Sequence, residues 1–376
     1  MTKTAIQRLA EFGQSAWLDN INRSMIESGK LKELIDLGLR GMTSNPTIFD
    51  KSIRLSNDYD SVIEELCNKN KTTFEIYDEL TVCDVRNAAD AFLPVYKETS
   101  DLDGYVSLEV NPDLAFKSEE TVNEAKRLFK KLDRPNVMMK VPATEEGYIA
   151  IEELTGEGIN VNATLIFSLR QYENAAYSYI RGLKKLIAAG RRPNRVRSVA
   201  SVFVSRIDTL IDKLLQDNNG PESLMGRAAI ANSNLIFAAY SDIFLGTDFK
   251  KLQENEANVQ RVLWASTSTK DLKYSDIKYV TELIAKNTVN TLPDNTFQAF
   301  LDHGVVKEAL SSDKKSAEET IRALKDAGID VDKVYKKLLD DGVAAFQESF
   351  RSLLSSIEAK SGNLWYGISK KRNSNH

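Results

Sequence analysis

Eight short apolar runs alternate with helical patterns, and this alternation limits the possible folds more than any other feature of the sequence. The strand-like runs cover residues 15–19, 39–46, 104–110, 137–144, 159–167, 197–206, 260–267 and 287–293. Patterns typical of helices separate them, for example at residues 23–37, 118–132 and 169–189. Alternating β and α patterns favour a parallel sheet with crossover helices, and eight such units favour a closed barrel over a doubly wound sheet. We therefore predict an α/β fold, a (β/α)8 TIM barrel with additional helices.

The predicted barrel accounts for nearly the whole chain as one domain. We assign residues 1–360 to a single barrel domain with extra helices, its last third mostly helical. Residues 361–376 form a polar, basic tail that we expect to be disordered. The sequence has neither a GxGxxG nor a GxxxxGK[ST] motif at a strand–helix junction, which argues against a nucleotide-binding fold.

Charge and composition exclude several classes of function. The 376 residues carry a net charge of −4, which disfavours nucleic acid or an anionic membrane as the main partner. The two cysteines, Cys67 and Cys83, form no CxxC pair and have no histidine nearby, so we expect neither a zinc site nor a disulfide framework. The only histidines are His303 and His376, so chemistry would depend on lysine and carboxylate side chains instead.

The N-terminal sequence has no apolar segment typical of a secretory signal. The chain also lacks an uninterrupted apolar run of about 18 residues, the length that a membrane-spanning helix needs. We therefore expect a cytoplasmic protein with no membrane partner.

One lysine interrupts the apolar run at residues 137–144, and it is the leading candidate for a reactive group. Burial of an ammonium group is costly without a partner and favours the neutral amine. A neutral amine at the end of a barrel strand can form a Schiff base with a carbonyl substrate. Lys140 could instead lie on an exposed sheet face or at a strand end, and this run alone does not separate the two interpretations.

Polar residues lie at or near the C-terminal ends of nearly all the predicted strands. They are Asp19, Thr43, Asn45, Glu109, Asn111, Lys140, Asn162, Thr164, Ser201, Arg206, Ser266 and Asn290. In a barrel this end carries the active site, and residues two apart on a strand share a face. If the fold is right, an amine, two carboxylates, hydroxyls and amides converge on one pocket.

Each of these residues also has an ordinary structural interpretation. Asp19 could cap a helix or form a turn, and Asn45 precedes a proline, as many turn residues do. Arg206 could be a solvated charge at a helix start. Glu109 is harder to explain, because the run around it is apolar and a buried glutamate needs a partner. Only the joint pattern is specific.

Four segments, residues 41–49, 137–144, 159–168 and 201–208, resemble the transaldolase family of class I Schiff-base aldolases, in its longer subgroup. The resemblance spans nearly the whole chain. It implies that Lys140 is the Schiff-base lysine, that Asp19 and Glu109 are the catalytic acids, and that Thr164 holds a water for Glu109. The substrate-binding residues that we carry over or add are Asn45, Asn162, Ser201, Phe203, Arg206, Ser266 and Lys270.

The resemblance implies transfer of a dihydroxyacetone unit from sedoheptulose 7-phosphate to glyceraldehyde 3-phosphate, giving erythrose 4-phosphate and fructose 6-phosphate. Such an enzyme of the pentose phosphate pathway binds sugar phosphates and needs neither a metal nor an organic cofactor. Many relatives have a second phosphate-binding arginine after the seventh strand, where this chain has Lys270, a point charge without the bidentate fork.

Two alternative functions remain open from the sequence. An enzyme like fructose 6-phosphate aldolase would release dihydroxyacetone, although Phe203 offers no hydroxyl to the pocket and mildly favours transfer. A barrel that only binds sugar phosphates would have no reason to keep Lys140, Asp19 and Glu109 together. The oligomeric state is not predicted.

Overall fold

A computed structural model describes the backbone of residues 3–373 and the side chains of residues 3–362. Eight parallel strands close into a barrel in chain order, with β1 hydrogen-bonded to both β2 and β8. The strands are β1 Gln14–Leu18, β2 Gly41–Thr43, β3 Tyr105–Glu109, β4 Val137–Pro142, β5 Val161–Ile166, β6 Ser198–Phe203, β7 Gln260–Ala265 and β8 Thr288–Leu292. The predicted (β/α)8 TIM barrel is confirmed.

The helices surround this barrel. Within the described residues they are α1 Ala5–Phe12, α2 Arg23–Glu27, α3 Lys30–Asp36, α4 Pro46–Leu55, α5 Asp60–Asn68, α6 Thr73–Glu98, α7 Ser118–Leu132, α8 Glu145–Gly156, α9 Leu169–Ala188, α10 Ser205–Asp217, α11 Ala228–Phe244, α12 Thr247–Gln253, α13 Lys278–Thr281, α14 Asp294–His303, α15 Lys315–Asp326 and α16 Val331–Asn373. In this part of the chain, no single helix has the length and apolarity to cross a membrane; the bent pair Glu222–Phe244 and Thr247–Gln253 satisfies those two criteria only when taken together.

Every residue of the eight strands is buried, which explains why the sequence shows them as apolar runs. Their inward side chains fill the barrel and their outward side chains contact the helices, so neither face meets water. At the N-terminal end of the barrel, Arg261 of β7 forms a buried ion pair with Asp103, with 2.8 Å between Nη2 and Oδ1. The Ser15 hydroxyl donates to the same carboxylate, so this end is closed by polar contacts among buried groups.

Two of the differences from the predicted boundaries are larger than a shift of strand ends. The single helix expected at 23–37 is divided into α2 and α3, because Gly29 between them has φ +81°, a left-handed conformation that interrupts a helix. The sixth strand ends at Phe203 instead of continuing to residue 206, and α10 begins at Ser205. Arg206 therefore lies in the first turn of a helix.

Helix α16 crosses the face of the barrel where the strands have their C-terminal ends. It contacts α4, which follows β2, the turn Pro112–Leu114, which follows β3, and α10, which follows β6, as well as β5 itself. The backbone of α16 continues to Asn373, and residues 374–376 lie outside the described residues. The disorder of the segment 361–376 stays a prediction.

Candidate active site

A cavity of about 160 Å³ lies at the C-terminal end of the barrel. Its lining residues are Asp19, Thr43, Asn45, Lys140, Thr164, Ser201, Phe203, Arg206, Ala265, Ser266, Ser268, Lys270, Thr291, Pro293 and Phe346. All the site residues predicted from the sequence are in this set except Glu109 and Asn162, which lie directly behind it. The convergence of strand-end residues is thus present in the structure, while their roles remain proposals.

The strand register brings Glu109, Lys140 and Asn162 side by side. Lys140 of β4 is paired with Glu109 on β3 and with Asn162 on β5. The Nζ atom of Lys140 lies 3.4 Å from Oε2 of Glu109 and donates a hydrogen bond of 3.0 Å to the carbonyl oxygen of Ser44. Lys140 and Glu109 are each 4% exposed, so the lysine is buried with a carboxylate partner rather than placed on an exposed face.

Burial perturbs both carboxyl groups of the site. It raises the pKa of Glu109 to about 7, although the charge of neighbouring Lys140 acts in the opposite direction. Burial also raises the pKa of Asp19, against the charge of Lys140 and a hydrogen bond from Thr43. A carboxyl group whose pKa lies close to neutral can both accept and donate a proton at working pH. Glu109 is therefore suited to moving protons at the lysine nitrogen.

Asp19 follows the last residue of β1 and is held by hydroxyl groups from neighbouring strands. The Thr43 hydroxyl donates to its Oδ1 at 2.8 Å, and the Thr291 hydroxyl lies 2.8 Å from that of Thr43. Asp19 is half-buried and faces the cavity. These contacts fix one carboxylate oxygen and leave the other able to accept a proton.

Asn162 is fixed from both sides by hydroxyl groups. Its amide nitrogen donates to Ser107 at 3.0 Å, and Ser201 donates to its carbonyl oxygen at 2.6 Å. Thr164, two residues further along β5, has a buried hydroxyl without a hydrogen-bond partner among the described residues. Buried polar groups are nearly always paired, so an unpaired hydroxyl at a cavity wall is available to a water or substrate.

The two predicted phosphate ligands line the same cavity. The guanidinium carbon of Arg206 lies 5.3 Å from the ring centroid of Phe203, and no described carboxylate is within 4.0 Å of the guanidinium nitrogens. Burial lowers the pKa of Arg206, against the charge of Asp19. Lys270 donates to the Ser268 hydroxyl at 2.7 Å. Both cations are therefore placed where an anionic substrate group could pair with them.

Besides Glu109 and Asn162, two further strand-end residues do not line the cavity. Asn111 caps the turn Pro112–Leu114 through a bond from the Asp113 amide, and Asn290 donates to the carbonyl oxygen of Tyr279. Asn45 fits both a structural and a substrate-binding interpretation. It caps α4 by accepting a hydrogen bond of 3.0 Å from the Ile48 amide, and it also lines the cavity.

The sequence analysis missed the contribution of α16 to the site. Phe346 of this helix lines the cavity, with its ring centroid 5.7 Å from Nζ of Lys140. It also missed the carbonyl oxygen of Ser44 as a partner of the lysine, and Thr291 and Pro293 at the end of β8. Thr291 lies near the end of a predicted strand and could have been included by the same rule as Thr43. The sequence carries no signal for Phe346, because this residue lies in a helix that is far along the chain from any predicted strand end.

Comparisons with known proteins identify the family of this chain. The family model described as transaldolase/fructose-6-phosphate aldolase matches residues 16–357. The "Transaldolase 2" of Nostoc sp. is 44% identical over 94% of this chain and 96% of its own length. The transaldolase of Trichodesmium erythraeum is 42% identical over 96% and 98%, and that of Saccharopolyspora erythraea is 44% identical over 95% and 97%. The chain therefore belongs to the transaldolase/fructose-6-phosphate aldolase family.

Proposed function

We propose that this protein is a transaldolase that moves a dihydroxyacetone unit from sedoheptulose 7-phosphate to glyceraldehyde 3-phosphate. The products are erythrose 4-phosphate and fructose 6-phosphate, and the reaction belongs to the pentose phosphate pathway of the cytoplasm. The observation that carries the proposal is the buried Lys140, whose Nζ faces the barrel cavity 3.4 Å from the Glu109 carboxylate. The names of the most similar relatives support the same activity.

The first step forms an imine on Lys140. The neutral amine attacks the C2 carbonyl of the ketose phosphate and gives a carbinolamine. Glu109 carries both protons that Lys140 loses between its ammonium form and the protonated imine, one before the attack and one after it, to the former carbonyl oxygen, which leaves as water. The free hydroxyl of Thr164 supports a role in holding the water that relays these protons. The pKa of about 7 at Glu109 suits a group that must take up and release a proton in one cycle.

The second step breaks the C3–C4 bond. Asp19 takes the proton of the C4 hydroxyl, the aldose leaves with its new carbonyl group, and the bonding electrons move into the protonated imine. The three-carbon unit then remains on Lys140 as an enamine, which attacks the aldehyde carbon of the acceptor. Hydrolysis of the new imine frees the product ketose. Because the protonated imine is the electron sink, the chemistry needs neither a metal nor an organic cofactor.

Arg206 and Lys270 supply the positive charge for the substrate phosphate. An arginine fork matches two phosphate oxygens, whereas a lysine provides a point charge. The half-buried guanidinium, which has no carboxylate within 4.0 Å among the described side chains, supports Arg206 as the main phosphate ligand. Lys270, which donates a hydrogen bond to Ser268, adds a second positive charge for the phosphate from the loop after β7.

A transfer assay tests the proposal directly. We expect fructose 6-phosphate with erythrose 4-phosphate to give sedoheptulose 7-phosphate, and fructose 6-phosphate alone to give little free dihydroxyacetone. Release of dihydroxyacetone at a rate independent of the acceptor would indicate a fructose 6-phosphate aldolase instead. Binding of fructose 6-phosphate with neither product would indicate a sugar-phosphate-binding barrel without catalysis.

A further inference from the structure

Helix α16 is held close to the mouth of the barrel by contacts on both sides of Phe346. One turn before it, Gly342 lies against the end of β5, and a Cβ atom at this position would come within 3.0 Å of Cδ2 of Leu165. Directly after it, Gln347 donates to the carbonyl oxygen of Pro112 at 3.3 Å. The absence of a side chain at residue 342 lets the helix approach the strand ends, which sets the depth that the cavity-lining side chain of this helix reaches.

Phe346 is that side chain, and it forms an apolar part of a mainly polar cavity. It is 4% exposed, and its ring centroid lies 5.7 Å from Nζ of Lys140. Most of the other lining groups are hydroxyls, an amide, a carboxylate and two cations. The second aromatic side chain, Phe203 of β6, lies beneath the guanidinium of Arg206. The ring of Phe346 is therefore the large apolar group beside the amine that would carry the reacting unit.

We propose that Phe346 is a specificity-determining residue that keeps water away from the enamine on Lys140, so that the bound unit passes to an acceptor sugar rather than being released. This inference rests on the proposed transaldolase function and deepens it. Exclusion of water by an apolar wall is an established way in which active sites protect reactive intermediates.

The competing reaction that this wall suppresses is a complete and balanced route. The nucleophilic carbon of the enamine takes up a proton, which gives an imine of dihydroxyacetone. Water adds to the imine carbon, and the carbon–nitrogen bond breaks with its electron pair returning to the nitrogen of Lys140. The proton added to the enamine carbon balances the proton removed from the C4 hydroxyl. The water consumed in hydrolysis balances the water released when the imine formed. Fructose 6-phosphate is thereby split into dihydroxyacetone and glyceraldehyde 3-phosphate.

The surroundings of Phe346 would accept water if the ring were removed. A site holds water when it has both room and several polar partners. The unpaired Thr164 hydroxyl and the Glu109 carboxylate provide such partners beside the amine. Glu109, with its pKa of about 7, is also able to supply a proton. Truncation of the ring would therefore admit further water to the enamine, beyond the single relay water that Thr164 holds, beside a proton donor that is already in place.

The test measures how the enamine divides between its two fates. Wild type, Phe346→Leu, Phe346→Val and Phe346→Ala are each given fructose 6-phosphate, with and without erythrose 4-phosphate, and free dihydroxyacetone is measured against sedoheptulose 7-phosphate. Phe350→Ala is the matched control, because Phe350 lies one turn further along α16, is equally buried and packs against Tyr77 rather than the cavity. We expect the ratio of release to transfer to rise about tenfold or more in Phe346→Ala, to rise less in Phe346→Val, and to stay near wild type in Phe346→Leu, which retains an apolar side chain of similar reach.

Each outcome bears on the inference. If Phe346→Val and Phe346→Ala transfer the unit with the wild-type ratio, or if Phe350→Ala raises the ratio equally, the inference is overturned. A rise in Phe346→Leu as large as in Phe346→Ala would show that the aromatic face acts on the imine charge, and would also overturn water exclusion. Failure of the wild-type protein to form sedoheptulose 7-phosphate would contradict the proposed function itself, which separates the two claims.

Discussion

At the scale of single residues, the site depends on a carboxyl group and an amine that strand pairing forces together. Glu109 and Lys140 are register partners on adjacent strands, and both are shielded from water. Burial disfavours the charged form of the carboxyl group, while the nearby ammonium favours it. The outcome is a pKa for Glu109 near 7, well above its usual value. The protonation state of Glu109 is therefore sensitive to pH in the physiological range.

This sensitivity predicts the pH dependence of imine formation. Because the pKa of Glu109 is raised, its carboxylate form is lost as pH falls through about 7, and a neutral carboxyl group cannot accept a proton from the amine. We expect the rate of imine formation from fructose 6-phosphate to fall about tenfold per pH unit on the acid side, since one ionisation controls it. Rapid-mixing experiments measure this rate. In Glu109→Gln the rate should be low and this ionisation absent; a surviving step near pH 7 in that variant would assign it to another group.

Arg206 makes a second residue-scale prediction. Arg206→Ala should weaken the use of fructose 6-phosphate and have little effect on unphosphorylated fructose. A charge-assisted hydrogen bond contributes about 1.5–3 kcal/mol, which corresponds to roughly one to two decades in kcat/KM. Lys270→Ala should also affect fructose 6-phosphate more than fructose, but with a smaller loss in kcat/KM. The loss is smaller because a lysine offers the phosphate a point charge, whereas an arginine offers a two-pronged fork. Equal losses on both donors would mean that Arg206 supports the fold or the chemistry and does not bind the phosphate.

At the scale of helices and strands, local pattern and tertiary packing contribute different information. The strands could be predicted because burial on both faces leaves a continuous apolar signature, and most of the site followed from the strand ends. The division of residues 23–37 into two helices could not be predicted, because the helical sequence pattern continues across Gly29, where the backbone adopts a left-handed conformation. Phe346 reaches the cavity only through the packing of α16 across the barrel. A periodic helix pattern states which face is buried but not what that face contacts.

A buried polar cluster joins three helices on one side of the barrel and predicts a stability effect. Arg23 of α2 pairs with Asp84 of α6, with 2.8 Å between Nη2 and Oδ1, and the Tyr59 hydroxyl before α5 donates to the same carboxylate. Arg23→Ala should lower the free energy of unfolding by about 3–5 kcal/mol, because it leaves a buried carboxyl group without its cation. Denaturant titration measures this change.

The matched control is Lys30→Ala. Lys30 forms an exposed ion pair with Glu33 at 2.9 Å within α3, and its loss should cost less than about 1 kcal/mol. Neither substitution touches the cavity, so kcat/KM of the folded protein should stay near wild type. Equal and small losses in the free energy of unfolding for the two variants would show that the buried cluster at Asp84 stabilises the protein no more than an exposed ion pair does.

At the scale of the whole molecule, the barrel places one buried amine among groups drawn from strands far apart in the sequence. Asp19 directly follows the first strand and Thr291 lies in the last, and closure of the sheet brings the carboxyl group of one and the hydroxyl group of the other to the same cavity wall. Helix α16 then covers this end of the barrel from the last part of the chain. The central claim is that all of these elements serve covalent chemistry at Lys140.

Borohydride trapping tests that claim most directly. Reduction in the presence of fructose 6-phosphate should attach one three-carbon unit to the protein, and peptide mapping by mass spectrometry should place it on Lys140. Lys140→Ala should lose both the label and the transfer activity. Asp19→Asn should still be labelled, but with the whole hexose phosphate, because imine formation precedes the step that needs Asp19. A label on another lysine, or active wild-type protein without any label, would contradict the account.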